Sequence, residues 1–171
     1  MTTCRKYSPT PTTDMRYLGI DPGTTIIGYG VIEDHDGAFR CLTYGTIRNP
    51  GTDSSSDKQA TVRNLSRILT EFKPSRVAVE RLFFFKNKKS VMAVSEMRGV
   101  IMLVLAEHGI PATELTPLQV KQRICGHGGA DKAQVQRMTR LLLKIPEVIR
   151  PDDAADALAM ALCCAIAPKN Y

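Results

Sequence analysis

Residues 15–47, MRYLGIDPGTTIIGYGVIEDHDGAFRCLTYGTI, decide the fold. Met15 to Ile20 is a short apolar run that stops at Asp21, and Asp21-Pro22-Gly23 is a turn signal. Ile26 to Ile32 is rich in β-branched residues, with Gly28 and Gly30 thinning one face. A turn over Asp34 to Gly37 leads into a third strand, Phe39 to Ile47, with partial alternation. Three strands on tight connections read as an antiparallel meander.

The pattern then changes. A polar, Gly- and Ser-rich loop from Asn49 to Asp57 precedes Val62, Leu65, Ile68, Leu69 and Phe72, which recur at helical spacing. Pro74 ends that helix, and Val77 to Glu80 is a short buried strand. A second helix is expected from about Ser90 to His108, closed by Gly109, and Ile110 to Leu115 is another strand. Thr116-Pro117 supplies an N-cap and first-turn pair for a helix that breaks at Gly126 to Gly129 and resumes over Asp131 to Lys144. Asp152 to Ile166 is the last helix. Three antiparallel strands followed by alternating strand and helix imply an α/β domain in three layers, a mixed five-stranded sheet with helices on both faces.

A chain of 171 residues, 43% of them hydrophobic, supports one core, and no internal repeat or linker divides it. The expected domain is 15–167, flanked by a disordered tail over 1–14 and a short tail over 168–171, with Met15 an alternative start. The Thr- and Pro-rich beginning lacks the apolar core of a secretory signal, and the best membrane candidate, Val91 to Leu105, is interrupted by Glu96 and Arg98. The five cysteines form no C-x-x-C pair and are odd in number, which points away from a zinc site or disulfide framework and fits a reducing cytoplasm.

The net charge of +6 is unevenly placed. Arg81, Lys86, Lys88, Lys89 and Arg98 form one basic run, and Lys121, Arg123, Lys132, Arg137, Arg140 and Lys144 another. Each alone is a solvated helix face. Flanking candidate catalytic acids, the two together point to a surface that tracks phosphates.

Those acids are Asp21 and Glu80, each at the end of an apolar strand, and a group on the last helix. Asp153 and Asp156 share a helix face, as do Asp152 and Asp156, so spacing leaves Asp152 and Asp153 equal. Ala154, Ala155 and Ala157 have small side chains that let this helix approach another element closely. Singly, Asp21 reads as a turn residue, Glu80 as a surface ion-pair partner, and Asp152 and Asp153 as first-turn residues favoured by the helix dipole. Together they repel unless a cation joins them, and oxygen-only donors suit magnesium or manganese.

Four segments in order resemble the RuvC family of Holliday-junction resolvases. They are Leu18-Gly-Ile-Asp-Pro-Gly-Thr24 with Gly28-Tyr-Gly-Val31, Val79-Glu-Arg-Leu-Phe83 with Lys86-Asn87, Gln119-Val-Lys121 with Gly126, Gly128 and Lys132, and Asp153-Ala-Ala-Asp-Ala-Leu158. They span Leu18 to about Ala165. The resemblance implies a ribonuclease-H-like fold and a crossover junction endodeoxyribonuclease with two Mg2+ or Mn2+ ions per site. It assigns Asp21, Glu80, Asp153 and Asp156 as the catalytic acids and metal ligands, which selects Asp153 over Asp152. It makes Lys132 a catalytic residue of the family's basic segment, Lys121 and Lys132 DNA contacts, and Phe83 an aromatic that stacks near the junction centre, with Lys86, Lys88 and Lys89 beside it on DNA.

The resemblance further implies a homodimer, matched to the two-fold symmetry of a four-way junction, and a branch-migration partner, RuvAB. Part of the second helix, with Met92, Met97, Val100, Ile101 and Leu105, is the expected dimer surface. Three rivals are an actin-like ATPase, a related nuclease acting on another substrate such as an RNA/DNA hybrid, and a non-catalytic junction-binding module.

Overall fold

The computed structural model describes residues 2–3, 15–49, 51, 54–81 and 88–167. Its elements are β1 (Thr2–Thr3), β2 (Met15–Asp21), β3 (Ile26–His35), β4 (Ala38–Arg48), α1 (Ser54–Phe72), β5 (Arg76–Glu80), α2 (Lys88–Glu107), β6 (Ala112–Leu115), α3 (Pro117–Cys125), α4 (Lys132–Leu142) and α5 (Asp152–Ile166). The five strands read from the sequence form the body of one mixed sheet, in the order β4-β3-β2-β5-β6, and the two-residue β1 adds to the β4 edge. Strands β2, β3 and β4 pair antiparallel, whereas β2–β5 and β5–β6 are parallel.

The meander closes where its turn chemistry requires. Asp36 and Gly37 both take positive φ, 51° and 83°, between β3 and β4, and Gly37 N donates to Asp34 Oδ1 at 2.8 Å. Two-residue hairpins favour Asp-Gly for this geometry, because its twist matches that of the flanking strands.

Both faces of the sheet are covered. Leu18, Ile20, Val77 and Val79 pack with Leu65, Ile68, Ile101 and Leu105 of α1 and α2. On the other face Tyr17 and Ala78 pack with Ala154, Ala155, Leu158 and Leu162 of α5, and Val120 and Val135 bring in α3 and α4. Since strand side chains alternate, Asp21 and Glu80 continue the Tyr17–Gly19 and Ala78 rows and belong to the α5 face.

The helices after β6 start and stop on local signals. Thr116 and Gln119 form a reciprocal capping box at α3, and Asp131 and Gln134 form another at α4. Each box satisfies backbone donors that a helix start leaves open. Gly126, with φ 81°, closes α3 in the left-handed region, and the break expected over Gly126 to Gly129 is the α3–α4 connection. Among the described residues no helix is long and apolar enough to cross a membrane. Cys41, Cys125, Cys163 and Cys164 are free thiols.

Candidate active site

Strands β2 and β5 are adjacent and parallel, with Ile20 opposite Val79, so the next residues, Asp21 and Glu80, leave the sheet side by side. The third acid arrives on α5, and glycines let it. A Cβ on Gly19 would lie 1.9 Å from the carbonyl oxygen of Ala157, and one on Gly28 would lie 2.0 Å from that of Asp153. At Gly30 it would meet the Leu158 side chain at 2.7 Å. Backbone therefore packs on backbone, with Ala154, Ala155, Ala157 and Ala161 fully buried on the helix side. The thinned strand face and the small-residue helix read from the sequence are the two halves of one contact.

This packing brings Asp21, Glu80 and Asp156 to a cleft of about 250 Å3. Lys121 of α3 and Lys132 of α4 line it too, and Pro117, Val120, Val135, Ala159 and Met160 form its apolar wall. Lys132 Nζ lies 2.9 Å from Asp156 Oδ2 and 3.3 Å from Asp152 Oδ2. Asp153, the fourth acid expected from the sequence, is not among the residues lining the cleft; its charge helps to raise Asp21, and its backbone rests on Gly28.

The electrostatics are those of acids short of cations. Burial, then Glu80, Asp156 and Asp153, push the Asp21 carboxyl up to about 7, and in its protonated form it donates to Glu80. Burial raises Glu80 as well, assisted by Asp156, while the Asp21 hydrogen bond and Lys132 pull it back. Asp156 is raised by burial despite its Lys132 partner. For Lys132, desolvation works against the charge, but the pairs with Asp156 and Asp152 outweigh it and raise the ammonium.

Such a cluster fits a hard divalent cation. Its donors are all carboxylate oxygens, and their mutual repulsion is what a bound positive charge would relieve. Asp21, Glu80 and Asp156 are the acids that the cleft brings together, and all three offer only carboxylate oxygens. Among the described residues no three Asp, Glu, His or Cys side chains stand in a ready-made cage, and the Asp156 oxygen is engaged by Lys132.

Two contacts were not foreseen from sequence. Asp152 joins Lys132, so the two neighbouring aspartates divide between the ammonium and the sheet. Asn49, buried, clamps the turn after Asp21: its N–H donates to Thr25 O at 2.8 Å and its Nδ2 to Thr24 O at 3.3 Å and Thr61 Oγ1 at 3.0 Å. Asn49 fell in a stretch legible only as a polar loop. Phe83 and Lys86 lie outside the described residues, and Lys88 and Lys89 open α2.

Strand order, three layers and acids at the ends of neighbouring parallel strands facing an acid-bearing helix define a ribonuclease-H-like nuclease. The family model described as crossover junction endodeoxyribonuclease RuvC matches residues 17–164. The chain belongs to the RuvC family. The RuvC of Moorella thermoacetica is 48% identical over 150 residues, covering 87% of this chain and 90% of that one. The RuvC of Syntrophomonas wolfei is 47% identical over 150 residues and 87% of each chain. Among solved structures, T. thermophilus RuvC in complex with Holliday junction substrate superposes with a TM-score of 0.84 at 34% identity, over 89% of this chain and 93% of that one.

Proposed function

We propose that the chain resolves four-way DNA junctions by metal-dependent hydrolysis of phosphodiester bonds, acting in recombination and repair. The observation that carries this reading is the meeting of Asp21, Glu80 and Asp156 with Lys121 and Lys132 in one cleft of a RuvC-family fold.

In this reading Asp21, Glu80, Asp153 and Asp156 would hold the divalent cations, two Mg2+ or Mn2+ ions, with Asp21 at the centre of the set. When bound, such ions supply an activated water at neutral pH and offset charge on the phosphate. The chain's own part is to fix the acids on rigid elements, two strand ends and a helix packed on glycine. Lys132 places an ammonium beside the phosphate, where negative charge grows in the transition state. Lys121, on the cleft rim, contacts the DNA backbone. Phe83, Lys86, Lys88 and Lys89 extend that surface, Phe83 by stacking on a base.

The nuclease domain is 15–167, with flanking segments over 1–14, from which β1 joins the sheet edge, and 168–171. A junction with two-fold symmetry calls for two cuts and hence a homodimer. Supporting an interface on α2, Met92 is 68% and Leu103 59% exposed, while Met97, Ile101 and Leu105 face the core. RuvAB is the proposed branch-migration partner, and the free thiols fit a cytoplasmic enzyme.

The test is cleavage of a synthetic four-way junction beside linear duplex and RNA/DNA hybrid, with Mg2+, Mn2+ or EDTA. Paired, symmetric nicks in the junction alone, abolished by EDTA, are expected. Cutting of the hybrid alone would move the same site to a different substrate, and binding without cutting would reduce the protein to a junction-binding module.

A further inference from the structure

Lys132 is not free to move far. It is the first residue of α4, whose start is fixed by the Asp131–Gln134 capping box, so only its side chain swings. Its ammonium sits between Asp152 and Asp156, which lie four residues apart and one above the other on α5. The two aspartates differ in what else they meet. Asp156 lines the cleft with Asp21 and Glu80, whereas Asp152 does not. The Asp152 side chain is 58% exposed, against 36% for Asp156.

The oxygen that Lys132 holds most closely is thus one that a cation at the site would claim. Were Asp156 engaged by a cation, its carboxylate would hold the Lys132 ammonium less well, by competition and by like-charge repulsion. Without a second anion the side chain, already 55% exposed, would be released to solvent and leave the edge of the cleft. Asp152 is 3.3 Å away and outside the cleft, at the position where it can keep the ammonium while Asp156 serves the metal.

We propose that Asp152 is a positioning residue for the cleavage reaction, retaining Lys132 at the edge of the active site once Asp156 is engaged by metal. This rests on the reading of Asp156 as a metal ligand. Asp152 touches neither metal nor phosphate in this arrangement and acts only through Lys132.

Acetylation of Lys132 by an amine-reactive ester, followed by mass spectrometry, reads the tether directly. Asp156→Asn stands in for an Asp156 taken by metal. In that background Asp152→Asn should speed labelling about fivefold, the range open to an exposed ion pair. With Asp156 intact and EDTA present, Asp152→Asn should change labelling less than about twofold, because Asp156 still holds the ammonium. Adding Mg2+ should make the Asp152→Asn protein label as fast as the double variant. In junction cleavage Asp152→Asn should lower kcat about three- to fivefold without weakening junction binding, and Asp152→Glu should restore the rate. A residue acting only as surface charge would instead tighten DNA binding on neutralisation and leave kcat alone.

Equal labelling of Asp156→Asn and the double variant overturns the proposal. Calorimetry with Mg2+ alone separates the two levels. Mg2+ binding by wild type, lost in Asp156→Asn, together with equal labelling, removes the Asp152 role and leaves the metal reading standing. Absence of Mg2+ binding by wild type removes the metal reading, and the proposal falls with it.

Discussion

The β2–β3 pair carries an acid at each end, Glu33 buried and Asp21 half-buried, and the two ends treat them in opposite ways. At one end Glu33, 3% exposed, is held by Arg16 Nε at 3.0 Å and by Arg40, and Arg16 also donates to Phe72 O at the end of α1 at 2.9 Å. Arg16 and Glu33 face each other directly across the strands, so the charge is neutralised within the sheet. At the other end Asp21 meets Glu80, Asp156 and Asp153, and one ammonium, Lys132, serves Asp156 and Asp152 from the side. The same sheet thus pairs one acid with cations and leaves another among acids, where losing its proton is opposed. An acid with matched cations stabilises the fold, and acids that repel one another mark a site kept ready for a cation from outside.

The largest effect expected from this contrast is catalytic. Asp21→Asn should reduce junction cleavage in Mg2+ by at least about a thousandfold, measured in single-turnover assays, because it removes a carboxylate oxygen of the proposed cation set. Cleavage within about tenfold of wild type would make Asp21 a turn residue only.

Glu33→Gln should do the reverse, lowering stability by roughly 2–4 kcal/mol in urea denaturation, since it removes the buried carboxylate that pairs with Arg16 and Arg40. Activity of the folded fraction should stay near wild type. An unchanged urea midpoint would show that the Glu33 cluster contributes nothing to the fold.

Gly28→Ala tests the packing that joins the two elements of the site. Its new methyl must displace Asp153 backbone, at a cost of about 1–3 kcal/mol, and should depress cleavage more than stability alone explains. Full activity in the folded fraction would mean that the seating of α5 has slack to spare. The smallest effect is at the rim: Lys121→Ala should weaken junction binding and reduce the slope of log affinity against log salt by about one unit. An unaltered slope would deny a phosphate contact there.

Much of this was legible in the sequence because the signals are local. Strand ends at Asp21 and Glu80, the Gly28–Gly30 thinning and the alanines around Asp153 and Asp156 each read directly, and the sheet register then joins them. What spacing left undivided was the pair Asp152 and Asp153, equal on helical periodicity. Their separation needs the position of α4, which brings Lys132 to Asp152, and the position of the sheet, which takes Asp153. Asn49 was invisible for a similar reason, because its partners Thr24, Thr25 and Thr61 are drawn from two other segments. The two-residue β1 pairs with Tyr44 and Thr43 inside the stretch expected to be a tail, a pairing that no periodicity in Thr2-Thr3 could announce.

The uncompensated state of the site is tested most directly by the stability of Asp21→Asn against pH, in EDTA. In the folded protein this carboxyl is raised to about 7 from an ordinary value near 4, so ionising it disfavours the fold. The penalty is absent below about pH 4, grows as pH rises and is complete above about 7. Asp21→Asn should therefore match wild type near pH 4 and exceed it by on the order of 1–3 kcal/mol at pH 8, with Mg2+ then stabilising wild type but not the variant. A variant less stable than wild type at pH 8 would contradict the account, showing Asp21 to be a satisfied structural acid like Glu33.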